Sequence, residues 1–83
     1  MTIRNKRGLH ARASAKFVTL ATEHDVDIIV DKGGTTAAGR SIMSLMMLAA
    51  GPGDTITIRG QGEGAESAVD ALVALVESKF GEE

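Results

Sequence analysis

His10 is the residue of this chain best placed for covalent chemistry. It sits in the run Gly8-Leu9-His10-Ala11-Arg12-Ala13-Ser14-Ala15-Lys16-Phe17, immediately before a helical pattern begins. A helix start carries unpaired backbone N–H groups and the positive end of the helix dipole. Together these make an anion site. The same positive potential disfavours an added proton on an imidazole, which leaves a ring nitrogen free as a nucleophile. Gly8 allows a tight turn just before the ring. Arg12 can bring a guanidinium whose planar donors match phosphate oxygens in pairs. A nucleophile, backbone donors and a cation thus converge within one short segment, which is what a transient phosphohistidine needs. The competing reading is an ordinary histidine at an N-cap or in a loop, and these residues alone leave both open.

Other chemistries find little support. There is no cysteine, so no disulfide framework and no thiolate metal site exist. His10 and His24 make a poor metal set, and His24, near the expected end of the first helix, reads as structural. A chain of 83 residues is one domain, spanning 1–83, and is too short for a nucleotide-binding α/β domain of ordinary size. A hydrophobic fraction of 43% is enough for a core. Phe17 and Phe80 are the only aromatic residues, so Val, Ile, Leu, Met and Ala must supply most of that core. No apolar run approaches membrane-spanning length. Arg4, Lys6 and Arg7 interrupt the opening segment, so no secretory signal is expected and the chain is read as cytoplasmic.

The net charge of -2 hides a polarity. Arg4, Lys6, Arg7, Arg12 and Lys16 fall before the first acid, Glu23, whereas acids dominate from Gly60 onward. A basic end attracts anionic groups and acidic proteins and speeds their encounter. Nucleic acid fits less well, because stacking aromatics are missing and the chain is acidic overall.

The elements that must hold these residues can be read in outline. Met1 to Asn5 predicts a short strand, followed by a Lys6-Arg7-Gly8 turn. Ala11 to Thr22 predicts a helix with Ala13, Phe17, Leu20 and Ala21 as its apolar stripe. Asp25 to Asp31 alternates, with Val26, Ile28 and Val30 on one side, and predicts a half-buried strand. Lys32-Gly33-Gly34 turns the chain into a returning strand over Thr35 to Ala38. Ser41 to Ala49 predicts a helix stopped by Gly51-Pro52-Gly53. Asp54 to Arg59 predicts a strand with Ile56 and Ile58 inward. Gly64 to Phe80 predicts a last helix with the stripe Ala65, Val69, Leu72, Val73, Val76 and Phe80, and Gly81 at its C-cap. The order β-α-β-β-α-β-α suggests an α+β domain, a sheet with helices packed on one face. The other face, carrying Thr55, Thr57 and Arg59, is expected to be partly open to water.

The string GLHARASAKFV resembles the active-site segment of the HPr family, the histidine-containing phosphocarriers of the bacterial sugar phosphotransferase system. A second string, GRSIMSLMMLAAGPGDTITI, resembles that family's regulatory-serine helix and the strand after it, and the likeness extends over essentially the whole chain. It implies an open-faced β-sandwich, four antiparallel strands covered on one face by three helices. It also implies that His10 accepts a phosphoryl group through Nδ1, that Arg12 is the active-site arginine, and that the N–H groups of Ala11 and Arg12 hold phosphate oxygens. The donor would be the phosphorylated first enzyme, enzyme I, and the acceptor an EIIA domain. The carrier itself would need no metal or cofactor and would not be a free-standing enzyme. Ser41 matches the serine phosphorylated by HPr kinase/phosphorylase, and is also a good N-cap in its own right. Arg40 stands where the family often has lysine. Ala13 stands where it usually has proline, a change that takes away no phosphate ligand.

The second helix is unusually apolar. With Leu45, Leu48 and Ala49 inward, Met43 and Met47 point nearly opposite, about 160° around the helix, and Ile42 and Met46 lie between. Outward methionines on a small domain suit adaptable docking. The expected partner surface is therefore Ile42, Met43, Met46 and Met47, with Arg12, Lys16 and Arg40 around it, on a domain expected to be monomeric. Two further readings stay open: a nitrogen-branch or purely regulatory member of the same family, and a docking module that performs no phosphotransfer.

Overall fold

In the computed structural model, residues 1–82 are described. The chain runs through α1 (Ala11–Thr22), β1 (Asp27–Lys32), β2 (Thr35–Ala38), α2 (Ile42–Met47), β3 (Thr57–Gln61) and α3 (Ala65–Glu77), and closes with a 3₁₀ turn at Lys79–Gly81. The sheet order is β2-β1-β3, antiparallel throughout. Gly33 and Gly34 both take left-handed φ (59° and 93°), which gives the tight hairpin the twist its strands require. Alternation in β1 behaves as expected. Ile28 and Val30 are buried while Asp27 and Ile29 are exposed on the open face, next to exposed Thr57 and Arg59 of β3.

The expected first strand survives as a single bridge, Thr2 to Thr55, flanked by backbone bonds from Ile3 N–H to Asp54 O and from Ile56 N–H to Met1 O, both 2.8 Å. It stops there because both partners turn. Asn5 closes a turn on Gly8, and Gly53 bends the facing chain with φ 89°.

The helices pack together on the other face. α1 meets both α2 and α3, and α3 lies on β3. This contact is close at Gly60, where a Cβ would stand 2.8 Å from Val69. Phe17 from α1 and Phe80 from beyond α3 are almost wholly enclosed in one core with Ile3, Leu45, Ile56 and Leu72.

Further sequence expectations shift, among them the third strand, which lies at Thr57–Gln61 rather than Asp54 to Arg59. The last helix ends at Glu77 rather than Phe80, and Lys79 and Phe80 take left-handed φ of 59° and 56°. Gly81 (φ 76°) therefore closes the 3₁₀ turn and does not cap α3. Ala49 turns outward at φ 53°, and Ala50 takes the core position in its place. Ala68 joins the buried stripe of α3, because it follows Ala65 at i+3 and faces the sheet.

Candidate functional site

His10 is the N-cap of α1, in extended backbone conformation, with its ring turned back over the helix start. Nδ1 accepts from Arg12 N–H at 3.1 Å and from Ala13 N–H at 3.4 Å. A ring nitrogen that accepts two N–H groups carries no proton, so the other nitrogen must. That nitrogen, Nε2, donates to Glu82 Oε2 at 2.7 Å. The tautomer is thus fixed from both sides: a lone pair on Nδ1 and a proton on Nε2.

The loop beneath the ring is built to hold it. Gly8 has φ 59° and lies so close to the end of the α2 segment that a Cβ would stand 2.0 Å from Ala50 O. Leu9 N–H donates to that same carbonyl at 2.9 Å. Ser14, fully buried on α1, donates its hydroxyl to Leu9 O at 3.1 Å. The histidine loop is therefore pinned between α1 and the chain leaving α2.

Arg7, His10, Ala11, Arg12 and Glu82 line one open cleft of about 400 Å³. Ala11 and Arg12 are exposed, and the Arg12 guanidinium forms no hydrogen bond or ion pair among the described residues. It is free to meet an incoming anion. In this arrangement the N–H groups aimed at Nδ1 are those of Arg12 and Ala13, not those of Ala11 and Arg12. Ala13 also contributes what a proline there could not, because proline has no N–H.

Ser41 caps α2, its Oγ accepting from Ser44 N–H at 3.2 Å, and it is half-buried. On α2, Met43 and Met47 are 70% and 76% exposed, and Ile42 and Met46 are each 41% exposed. Two basic residues expected around this patch are engaged elsewhere. Lys16 Nζ donates to Phe80 O at 2.7 Å, and Arg40 Nη2 donates to His24 O at 2.8 Å, tying the chain after α1 to the segment before α2.

Sequence reasoning missed Asn5 and Glu82. Asn5 is 1% exposed, and its Nδ2 donates to Gly8 O at 2.7 Å and to the Glu82 carboxylate at 3.3–3.4 Å. The hydrogen bond from His10 is the main reason the Glu82 carboxyl is held below its ordinary value of 4.5, with the Asn5 amide and the charge of Lys16 adding to the effect. Glu82 lies 72 residues from His10, and no spacing motif joins them.

Among the described residues no group of side chains could hold a metal ion, and no helix is long and apolar enough to cross a membrane. Residues 1–78 match the family model described as "PTS HPr component phosphorylation site". The chain is 48% identical to the phosphocarrier protein NPr of Shewanella violacea over 82 residues, covering 99% of this chain and 90% of that one. It is 47% identical to the phosphocarrier protein HPr of Cupriavidus necator, covering 98% and 91%. Among solved structures, HPr-C-His from Thermoanaerobacter tengcongensis superposes with a TM-score of 0.95 at 42% identity, covering 100% of this chain and 93% of that one. HPr from Bacillus anthracis superposes with a TM-score of 0.87 at 43% identity, covering 92% and 90%. The chain belongs to the HPr family, the phosphoryl carriers of the phosphoenolpyruvate-dependent phosphotransferase system that accept phosphate on a histidine.

Proposed function

We propose that His10 is the residue on which this phosphocarrier takes up its phosphoryl group, from phosphorylated enzyme I, and from which an EIIA domain removes it. The observation that carries this reading is the state of the ring: Nδ1 is unprotonated and sits at a helix start, with a free arginine two residues on. Attack by the Nδ1 lone pair forms the N–P bond as the bond to the donor breaks, and the donor keeps that electron pair. The ring must first leave its cap. This frees the N–H groups of Arg12 and Ala13 for the phosphoryl oxygens, and Arg12 adds its charge. Such transfer needs alignment and charge neutralisation more than covalent assistance. The partners complete the site, and the whole of 1–83 serves as one carrier domain.

Docking falls to the exposed apolar patch of α2, Ile42, Met43, Met46 and Met47, which lies beside the histidine loop through Ala50. Phosphorylation of Ser41 by an HPr kinase/phosphorylase would set a dianion at the edge of this patch. The helix start would tolerate it, and acidic partners would be repelled. The relatives carry the names NPr and HPr at nearly equal identity, 48% and 47%, so an acceptor assay with sugar-type and regulatory EIIA domains decides the branch.

The test is transfer of label from phosphoenolpyruvate through purified enzyme I. Acid-labile, base-stable label on the wild-type chain, absent from His10→Ala, supports the reading. Label that persists in His10→Ala, or none on the wild type, overturns it and leaves a docking module. Met43→Glu or Met47→Glu should slow transfer about tenfold or more while the domain stays folded, since a charge in an apolar interface core costs more than about 1.4 kcal/mol. An unchanged rate removes the patch from the account.

A further inference from the structure

We propose that Asn5 and Ser14 are positioning residues for phosphoryl transfer. They hold the carbonyls of Gly8 and Leu9 in the core, so that the backbone ahead of His10 offers an incoming phosphoryl group N–H donors and no carbonyl oxygen. This role rests on His10 being the acceptor. Among the described residues, Asn5 and Ser14 are the only buried polar side chains, 1% and 0% exposed. They flank His10 in sequence, and both spend their donors on the loop that carries it.

The two side chains take consecutive carbonyls. Asn5 Nδ2 donates to Gly8 O at 2.7 Å, and Ser14 Oγ donates to Leu9 O at 3.1 Å, both in the interior. The next carbonyl, His10 O, accepts from Ser14 N–H at 2.8 Å. Leu9 N–H donates to Ala50 O, so the peptide between Gly8 and Leu9 is fastened on both sides. A trans peptide carries its carbonyl and its N–H in opposite directions. With Leu9 O held inward, the N–H of His10 points away from that bond, and the peptide plane from which the ring hangs cannot rotate without breaking it.

Neither bond is the least costly choice for the fold. A serine inside a helix usually bonds the carbonyl three or four positions back. Ser14 reaches past the helix start to Leu9, five positions back. Alanine at this enclosed place would favour the helix and bury no hydroxyl. Asn5 leaves its Oδ1 buried without a hydrogen-bond partner. Its amide cannot be reversed, because that would set Oδ1 against the carbonyl oxygen of Gly8. A buried acceptor left unpaired asks for an explanation, and the hold on Gly8 O supplies one.

The chemistry at the cleft shows what these bonds protect. A phosphoryl group carries its negative charge on its oxygens, and a carbonyl oxygen turned toward it repels. The attractive groups at the start of α1 are the N–H groups of Arg12 and Ala13 and the Arg12 guanidinium. When the ring leaves its cap, its own grip on the helix start is lost. Asn5 and Ser14 keep theirs, because their bonds to the loop do not involve the ring. Donors set in place before the charge arrives need no rearrangement at the moment of transfer.

The experiment compares wild type, Ser14→Ala and Ser14→Thr in single-turnover transfer from phosphorylated enzyme I, with thermal unfolding of each chain measured alongside. Ser14 decides the matter because Asn5 also donates to Glu82, whereas the Ser14 hydroxyl holds Leu9 O alone. Ser14→Ala removes the donor. It should slow transfer within the complex roughly three- to tenfold, the scale of one hydrogen bond, and leave the half-saturating concentration of enzyme I unchanged. Ser14→Thr keeps the hydroxyl and forces a methyl group into a filled place, so it should lose stability yet keep most of the rate. Equal rates within the complex for wild type and Ser14→Ala overturn the proposal. Rates that follow the unfolding temperatures instead of the hydroxyl overturn it too. A wild-type chain that takes no label on His10 overturns the assignment on which it rests, a result distinct from equal rates.

Discussion

At the residue scale, the helix start of α1 holds His10 in a resting state that is already the reactive tautomer. Donors on Nδ1 and an acceptor on Nε2 point the same way, and neither needs the phosphoryl group to be present. Ala13 offers a clean test of the weaker donor. Ala13→Pro deletes the 3.4 Å bond to Nδ1 and stiffens the unfolded chain. The first loses roughly 0.5–1.5 kcal/mol and the second regains roughly 0.4–1. Thermal unfolding should therefore change by no more than about 1 kcal/mol, while the ring nitrogen signals of the resting protein shift. A large loss of stability would mean that the first turn depends on this N–H far more than its length implies. His10, Arg12 and Ser41 were legible in the sequence because their chemistry is local: a cap, a helix start and a neighbour two positions away. Asn5 and Glu82 were not. Their link to His10 is made in space, through the left-handed turn at Lys79–Gly81, and Phe80 fits the apolar period of α3 so well that the pattern reads through the turn as helix.

At the element scale, the C-terminal hook and the end of α2 are both fastened by side chains from elsewhere in the fold. Phe80 anchors the hook in the core. Phe80→Leu should cost about 1–3 kcal/mol in denaturant unfolding, the range for a change of shape in a tight core. It should also weaken the contact between Glu82 and His10, so that the ring-nitrogen NMR signals of His10 shift. Stability lost with no change in those signals would separate the anchor from the site.

At the end of α2, Lys32 Nζ donates to Leu48 O and Ala49 O (3.1 and 3.2 Å) and pairs with Asp54 at 3.4 Å. Asp54 also accepts from Gly51 N–H at 2.8 Å, the main reason its carboxyl is held below the ordinary value of 3.8. A lowered value in the fold means that the stabilisation is fully present above the unfolded value and is lost as pH falls through the folded one. Asp54→Asn should therefore be less stable than wild type at neutral pH and lose less stability between neutral and strongly acidic solution. Parallel pH curves for the two would contradict this. The periodicities of α1, β1 and the hairpin gave those elements nearly as observed. The ends of α2 and α3 were misjudged because non-glycine residues there, Ala49, Lys79 and Phe80, adopt left-handed φ that only tertiary contacts sustain.

At the scale of the molecule, a small net charge conceals a basic end around His10. The five bases before Glu23 and the acids after Gly60 lie apart in sequence. The hook brings one of those acids, Glu82, to the basic end, where it pairs with His10. Arg4, Lys6, Arg7 and Arg12 remain exposed. Attraction between exposed charges is screened over about 10 Å at 0.1 M salt. The second-order rate of phosphoryl uptake from enzyme I should thus fall several-fold as salt rises through this range, with the rate within the complex unchanged. A salt-independent encounter would assign the docking to the apolar patch alone. The small size of the domain follows from the same division of labour. On the function proposed for His10, a helix start, one ring and one arginine suffice on the carrier, and each partner brings the rest of the site.

The account stands or falls on where the phosphoryl group is held. Phosphorus and nitrogen NMR of the enzymatically phosphorylated chain locates it directly. The structure predicts a single phosphoryl group on Nδ1 of His10, with Nε2 still carrying its proton at neutral pH. A phosphoryl group on Nε2, on His24 or on any other side chain would contradict it.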